Sequence, residues 1–392
     1  MHALFHEYPV THSNADVAVI GAGIAGLCSA LAIADAGLDV VLCTDVRAGD
    51  ASTAAGGMLD TGRGVASGPH QPVFRHARDL WPDFTAELAE RTGIKVPLNR
   101  DGIIELASDL GDADHLRARA ETGIEWLDVS ALGKLEPHLA HHYGALHHRH
   151  DGAVNPLALL TALKHAVGRH VHVRVVQQTV AGIKPGPNIE DPVSLTLGDG
   201  STRSAMRVVV ACGAWAPALT GVPRLLPVAP LRGQLMSVAS RMLRHVVVLG
   251  DAYAIPRGDG RTILGSVDDD AGLDASHSED GVRRIRELAS GIAPALGSAP
   301  MLNTWAGLRP MTPDGLPIIG PDERHPAVIY ACGHGRNGIL LGHRWAQATT
   351  VLQIAIALAA IALLTRKKWF EYAMFGLAAV GLVVGALAAL HY

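Results

Sequence analysis

Cysteine is scarce in this chain. The four, Cys28, Cys43, Cys212 and Cys332, lie far apart in apolar or glycine-rich surroundings and never at Cys-x-x-Cys spacing. They read as small buried side chains of a protein kept in a reducing compartment. Dense basic blocks are missing outside one short turn near the C-terminus, and the formal net charge is -4, so nucleic acid is not an expected partner. The start of the chain lacks the basic residues and long apolar stretch of a secretory signal, so the main body of the chain is expected in the cytoplasm. His138, His141, His142, His147, His148 and His150 cluster densely, yet no cysteine or carboxylate recurs beside them at ligand spacing, so no metal site is expected. Asp268 to Asp270 reads as a solvated turn.

Two long uncharged, strongly apolar runs stand near the end, at 348–364 and 373–390. Each sits at the short end of what spans a bilayer, and the basic, aromatic turn from Thr365 to Tyr372 lies between them. The tail at 348–392 is therefore expected to be a membrane helical hairpin; buried core helices or a foreign end are the alternatives. Three basic residues in the turn favour a cytoplasmic turn, which would put the preceding domain on the other side. The missing signal weighs more, and membrane association with a cytoplasmic catalytic domain is the expectation.

What the chain has in plenty is a dinucleotide-binding turn. Residues 17–26, VAVIGAGIAG, end a short apolar strand in Gly-x-Gly-x-x-Gly and run into an alanine- and leucine-rich helix. Gly21 permits the tight turn, Gly23 lets a pyrophosphate approach the backbone, and Gly26 lets helix and strand pack closely, with the phosphates at the helix's positive end beside Ile24 and Ala25. Gly37 ends the helix before a second strand at 39–43, and the small, polar residues 47–57 form a loop suited to lie on a ligand. Apolar spacing predicts one helix over 73–88, another over 155–167 opened by Pro156, and strands at 171–176, 193–197 and 207–211. Residues 231–267 shift to short β-rich runs, an antiparallel sheet, before a helix at 279–292, a last strand near 328–331 and a closing helix after Gly338.

Seven motifs in order, VAVIGAGIAG (17–26), AAGGML (54–59), DGAVNP (151–156), VVVACGAWAPAL (208–219), PLRGQLM (230–236), WAGLRPMTPDGLPIIG (305–320) and GHGRNGILL (333–341), together resemble the glycine oxidase and D-amino acid oxidase family of FAD enzymes. The resemblance covers roughly residues 15–341 and is strongest to the glycine oxidase branch associated with thiamine biosynthesis. It implies an α/β fold: a doubly wound, Rossmann-like FAD-binding domain interleaved with an antiparallel-sheet substrate domain. The FAD-binding parts are expected at 15–80, 151–220 and 306–347, and the substrate parts at 81–150 and 221–305. Members often end the second strand on an acidic residue that holds the adenosine ribose; here that place falls on Thr44, with Asp45 beside it. From residue 343 onward the chain departs from its relatives and looks like the end of an unrelated small membrane protein.

The same resemblance assigns roles. Arg309 matches the arginine that grips the substrate carboxylate, Tyr253 is similar in placement to a pocket tyrosine, and Arg336 matches a position at the flavin edge. Gly57, Met58, Gly335, Asn337, Gly338 and Ile339 would flank the flavin, Gly213 and Trp215 a second nucleotide turn, and Val180 the adenine. The chemistry is consistent: a flavin can take the Cα hydrogen as hydride once a neutral amine is held in place, and arginine is the side chain that grips a carboxylate with two hydrogen bonds. The leading expectation is oxidative deamination of glycine, sarcosine or a small D-amino acid, with oxygen returning the flavin to its oxidised state and forming hydrogen peroxide. A quinone-linked dehydrogenase and a flavin-free, membrane-held remnant are the rivals. A homo-oligomer is compatible with all three.

Overall fold

The computed structural model describes residues 14–342 apart from 67, 141 and 189. The expected hairpin at 348–392, and His141 of the histidine cluster, lie outside these residues; among the described residues no helix is long and apolar enough to cross a membrane. The chain opens with strand β1 (Asn14–Ile20), helix α1 (Ile24–Asp35) and strand β2 (Val40–Cys43). β1 pairs in parallel with β2 on one side and with Thr202–Val210 on the other. Val173–Val176 extends this sheet beyond β2 and Val328–Cys332 extends it beyond Thr202–Val210, both in parallel. Strands covered on two faces need continuous apolar runs, and residues 17–20, 40–43 and 208–210 are such runs, all buried.

The strand foreseen at 207–211 starts earlier, at Thr202, and its first half carries an antiparallel hairpin, Val180–Lys184 and Val193–Leu197. Val180 begins the first strand of that hairpin, opposite Leu197. The single helix expected over 73–88 is two, α3 (Gln71–Asp79) and α4 (Trp81–Thr92), which follow the short α2 (Ala51–Ala54). Pro82 is the cause: it has no N–H for a continuing helix, but it is well suited to the first turn of a new one. α4 also falls on the other side of the expected boundary at 80/81, because Trp81, Phe84 and Leu88 bury themselves in the core with α1 and the Pro156–Gly168 helix.

A second sheet of eight strands runs in the order Met301–Met311, Ala229–Ala239, Arg261–Asp269, Ala252–Pro256, Val246–Leu249, Ile103–Leu106, Ala145–His148, Ile124–Leu127. All pairings are antiparallel except Val246–Leu249 with Ile103–Leu106. The Glu279–Ile292 helix covers one face, supplying Ile285, Ala289 and Ile292 to a separate apolar core. Met301–Met311 crosses the expected boundary at 305/306 and stays in this sheet throughout. A small third sheet, Met58–Leu59 and Leu98–Asn99 on Gly152–Val154, lies where the chain passes between the two larger ones.

Candidate active site

The nucleotide crevice is built where β1 turns into α1. Gly21 has φ +109°, a conformation costly for any residue with a side chain, and an added Cβ there would run into the Ala211 carbonyl. Gly26 touches the Gly21 carbonyl so closely that no methyl fits, which sets helix against strand. α1 has neither a side-chain cap nor an acidic residue in its first turn, so its positive end is left for an anion. One amide is spoken for: Ile24 N–H donates to Ser52 Oγ at 3.0 Å. Ser52 sits in a short helix, Ala51–Ala54, capped by Asp50, whose side chain accepts from Thr53 N–H at 2.9 Å. The 47–57 loop therefore folds over the crevice, and Ser52 is a contact that sequence reasoning passed over.

At the far end, Thr44 and Asp45 follow β2, and Asp45 accepts a hydrogen bond from Thr179 Oγ1 at 2.7 Å. This brings Val180, next in chain to Thr179, toward the same end. Trp215, in the turn opened by Gly213, lies under the Arg47 guanidinium at 5.2 Å. At the near end, Gly57 and Met58 enter the small sheet, with Met58 opposite Ala153. Gly335, Asn337, Gly338 and Ile339 form the short turn and helix start after Val328–Cys332. The turn from Gly21 to Gly26, the helix start without a side-chain cap or first-turn acid, and the loops at both ends fit an extended dinucleotide.

The 47–57 loop is pinned to the second sheet. Leu308 N–H donates to Gly49 O at 2.8 Å, and Trp305 Nε1–H donates to Ala54 O at 2.9 Å. Arg257 spans the same junction, donating to Gly56 O at 2.6 Å and Val154 O at 3.1 Å. Burial pushes its guanidinium down to about 10, and the two carbonyls give its charge partners. Asp151, in the DGAVNP motif, accepts from Thr61 N–H and Thr61 Oγ1, both at 2.9 Å, and from Arg78 at 2.8 Å. Neither Arg257 nor Asp151 was singled out from sequence; nothing local marks an arginine or aspartate as a junction tie.

Four adjacent strands then carry the proposed substrate groups on one face. Arg309 lies on Met301–Met311, and its guanidinium rests over Gly233 of the neighbouring strand, where a Cβ would collide with it. Gly233 pairs with Asp268, whose carboxylate holds the Arg309 guanidinium. Tyr253, on the next strand, pairs with Gly265, and a Cβ on Gly265 would stand 2.6 Å from the Tyr253 ring and hydroxyl. Burial pushes the Tyr253 phenol above its usual range, with the Arg309 cation pulling against that rise. Arg309 itself is desolvated, which works against its charge, but the Asp268 carboxylate and a hydrogen bond to Tyr253 offset this and hold it cationic.

Arg336 reaches the cluster from the last turn, donating to the other oxygen of Asp268 at 2.6 Å. All three candidates, Arg309, Tyr253 and Arg336, thus converge. The solvated-turn reading is corrected for Asp268 and Asp269 and holds for Asp270, which is exposed just past the strand: the strand runs through Asp269, Asp268 is 17% exposed, and Asp269 pairs with Arg232 at 2.6 Å. Periodicity missed this because the two aspartates face cations from strands distant in sequence. Two of the clustered histidines have structural partners: His148 contacts Glu105 at 3.0 Å and His147 the Asp101 carbonyl at 3.3 Å. Among the described residues no group of three or more His, Cys, Asp or Glu could hold a metal ion.

A largely parallel dinucleotide-type sheet joined to an antiparallel sheet that presents a half-buried, paired arginine is the arrangement of a flavin-type oxidoreductase. Residues 16–352 match the family described as FAD dependent oxidoreductase, and the chain belongs to that family. Residues 341–391 match a separate domain of unknown function. The chain is 31% identical over 343 residues to the glycine oxidase of Geobacillus kaustophilus, covering 83% of this chain and 89% of that one. It is 30% identical over 351 residues to the glycine oxidase of Pseudomonas putida, covering 86% and 93%. The crystal structure of glycine oxidase from Geobacillus kaustophilus superposes with a TM-score of 0.80 at 29% identity, covering 87% of this chain and 95% of that one.

Proposed function

We propose that this FAD-dependent oxidoreductase oxidises a small amine bearing a carboxylate, with glycine, sarcosine and small D-amino acids as the substrate class. The observation that carries the reading is the Arg309 guanidinium, 16% exposed, laid over Gly233 beside the Tyr253 hydroxyl on the face of the second sheet. Such a cation is suited to orient one carboxylate at a fixed depth. FAD, when bound, supplies the two-electron oxidation of the C–N bond. The protein's share is positioning: Arg309 anchors the carboxylate, Tyr253 bounds the pocket, and Arg336 closes it from the last turn. The imino acid released then reacts with water, so that amino acid, oxygen and water give 2-oxo acid, hydrogen peroxide and ammonia, or methylamine in place of ammonia when the substrate is sarcosine.

The test is product stoichiometry with FAD-loaded protein and glycine, sarcosine or D-alanine in air. One hydrogen peroxide per 2-oxo acid is expected; flavin-loaded protein that consumes none of the amines contradicts the reading. A second reading concerns the electron acceptor and rests on the uncharged runs at 348–364 and 373–390. There the tail holds a cytoplasmic catalytic domain at a membrane and electrons pass to quinone. Turnover restored by a quinone analogue, without peroxide, distinguishes it, and removal of 348–392 should then release the protein from membranes.

A further inference from the structure

Two cations meet one internal carboxylate in this site. Asp268 directs one oxygen to Arg309 and the other to Arg336, the latter at 2.6 Å. The remaining nearby charges are otherwise engaged. Asp251 is 3.7 Å from Arg336 but 87% exposed, so water screens it. The Arg257 donors lie on the Gly56 and Val154 carbonyls. Tyr253 is kept neutral by burial, and so is His334, which precedes the last turn. Two guanidinium groups and one carboxylate leave a single positive charge to be matched in a half-buried space, where mismatched charge is expensive.

The geometry points to Asp268 as a specificity-determining residue, a built-in carboxylate that takes up one of the two guanidinium cations so that the site accepts amines with one carboxylate and excludes those with two. This rests on Arg309 being the carboxylate clamp. A substrate carboxylate engages Arg309 while Asp268 retains Arg336. A second substrate carboxylate would have to displace Asp268 or lie against it, and like charges in contact are strongly disfavoured.

The experiment uses the FAD-loaded full chain and two ligands without an oxidisable amine, acetate and malonate, titrated by calorimetry. Acetate should bind the unaltered protein, and malonate much more weakly. In Asp268→Asn the malonate-to-acetate affinity ratio should rise by on the order of tenfold or more. The kcat/KM ratio of iminodiacetate to glycine should rise with it. Arg336→Gln provides an independent reading: Asp268 then neutralises Arg309, acetate binding weakens, and the double variant recovers it. An unchanged malonate-to-acetate ratio in Asp268→Asn overturns the assignment, as does a double variant that recovers nothing. Loss of glycine oxidation with acetate binding intact overturns it too, since Asp268 would then serve the substrate's ammonium. Acetate that fails to bind the unaltered protein overturns the clamp itself, and this inference falls with it.

Discussion

Arg309 shows how much a single residue's meaning depends on its neighbours. An arginine before proline is in general a loop salt bridge; here it stands on a strand of the second sheet, with space for its guanidinium made by Gly233 on the adjacent strand. Its removal costs orientation rather than fold. Arg309→Ala should lower kcat/KM for the amine by on the order of 100-fold or more, mostly through KM, while flavin content is retained. An unchanged kcat/KM would mean that the carboxylate is held elsewhere. Arg309 and Arg336 could be singled out because each lies in a local motif, 305–320 and 333–341, and Tyr253 by its placement on a β-rich run. Asp268, Arg257 and Ser52 could not, since each acquires its role from a partner 28 to 201 residues away. Polarity alone had made Asp268 look like a solvated turn, and only the strand register turns it toward two cations.

Among the elements, the strand–turn–helix at the N-terminus was the most readable part of the fold. Its pattern is set by steric contacts inside ten residues, and β1, α1 and β2 appear as the glycines require. Gly26→Val should be severe: the side chain would force α1 away from the Gly21 carbonyl. The purified variant is expected to lose its visible flavin absorbance, and retention of stoichiometric flavin would show that the turn does not hold the cofactor. The 73–88 helix illustrates the opposite case. Its apolar spacing was continuous, but Pro82 divided it, because a backbone donor lost at one position outweighs a well-placed apolar stripe. The edge strand beginning at Val180 was missed as a strand since its partner, Val193–Leu197, lies beyond a loop, and pairing across a loop leaves no local signal.

For the whole molecule, the order of motifs gave the two-layer organisation, whereas the limits of each part were blurred by elements such as α4 and Met301–Met311 that pack against the other side of an expected boundary. Buried titrating groups make its stability depend on pH. Burial pushes the His334 imidazole from 6.5 down to about 4, so between those values the unfolded chain binds a proton that the folded one refuses. Glu105 is opposed by its own burial, but His148 and Arg119 hold its carboxyl down at about 2, against 4.5 ordinarily. Both terms have the same sign: stability is full above about pH 6.5 and falls on acidification, first through His334 and then through Glu105. Denaturant midpoints measured across that range should decline with falling pH, and His334→Gln should flatten the upper part; a midpoint independent of pH would contradict the burial of His334. The central claim, that one assembled site oxidises a small amine through flavin, is tested most directly by adding glycine, sarcosine or D-alanine to the FAD-loaded protein without air. Bleaching of the flavin absorbance by at least one of them is the predicted result, and flavin that stays fully oxidised with all three would contradict the account.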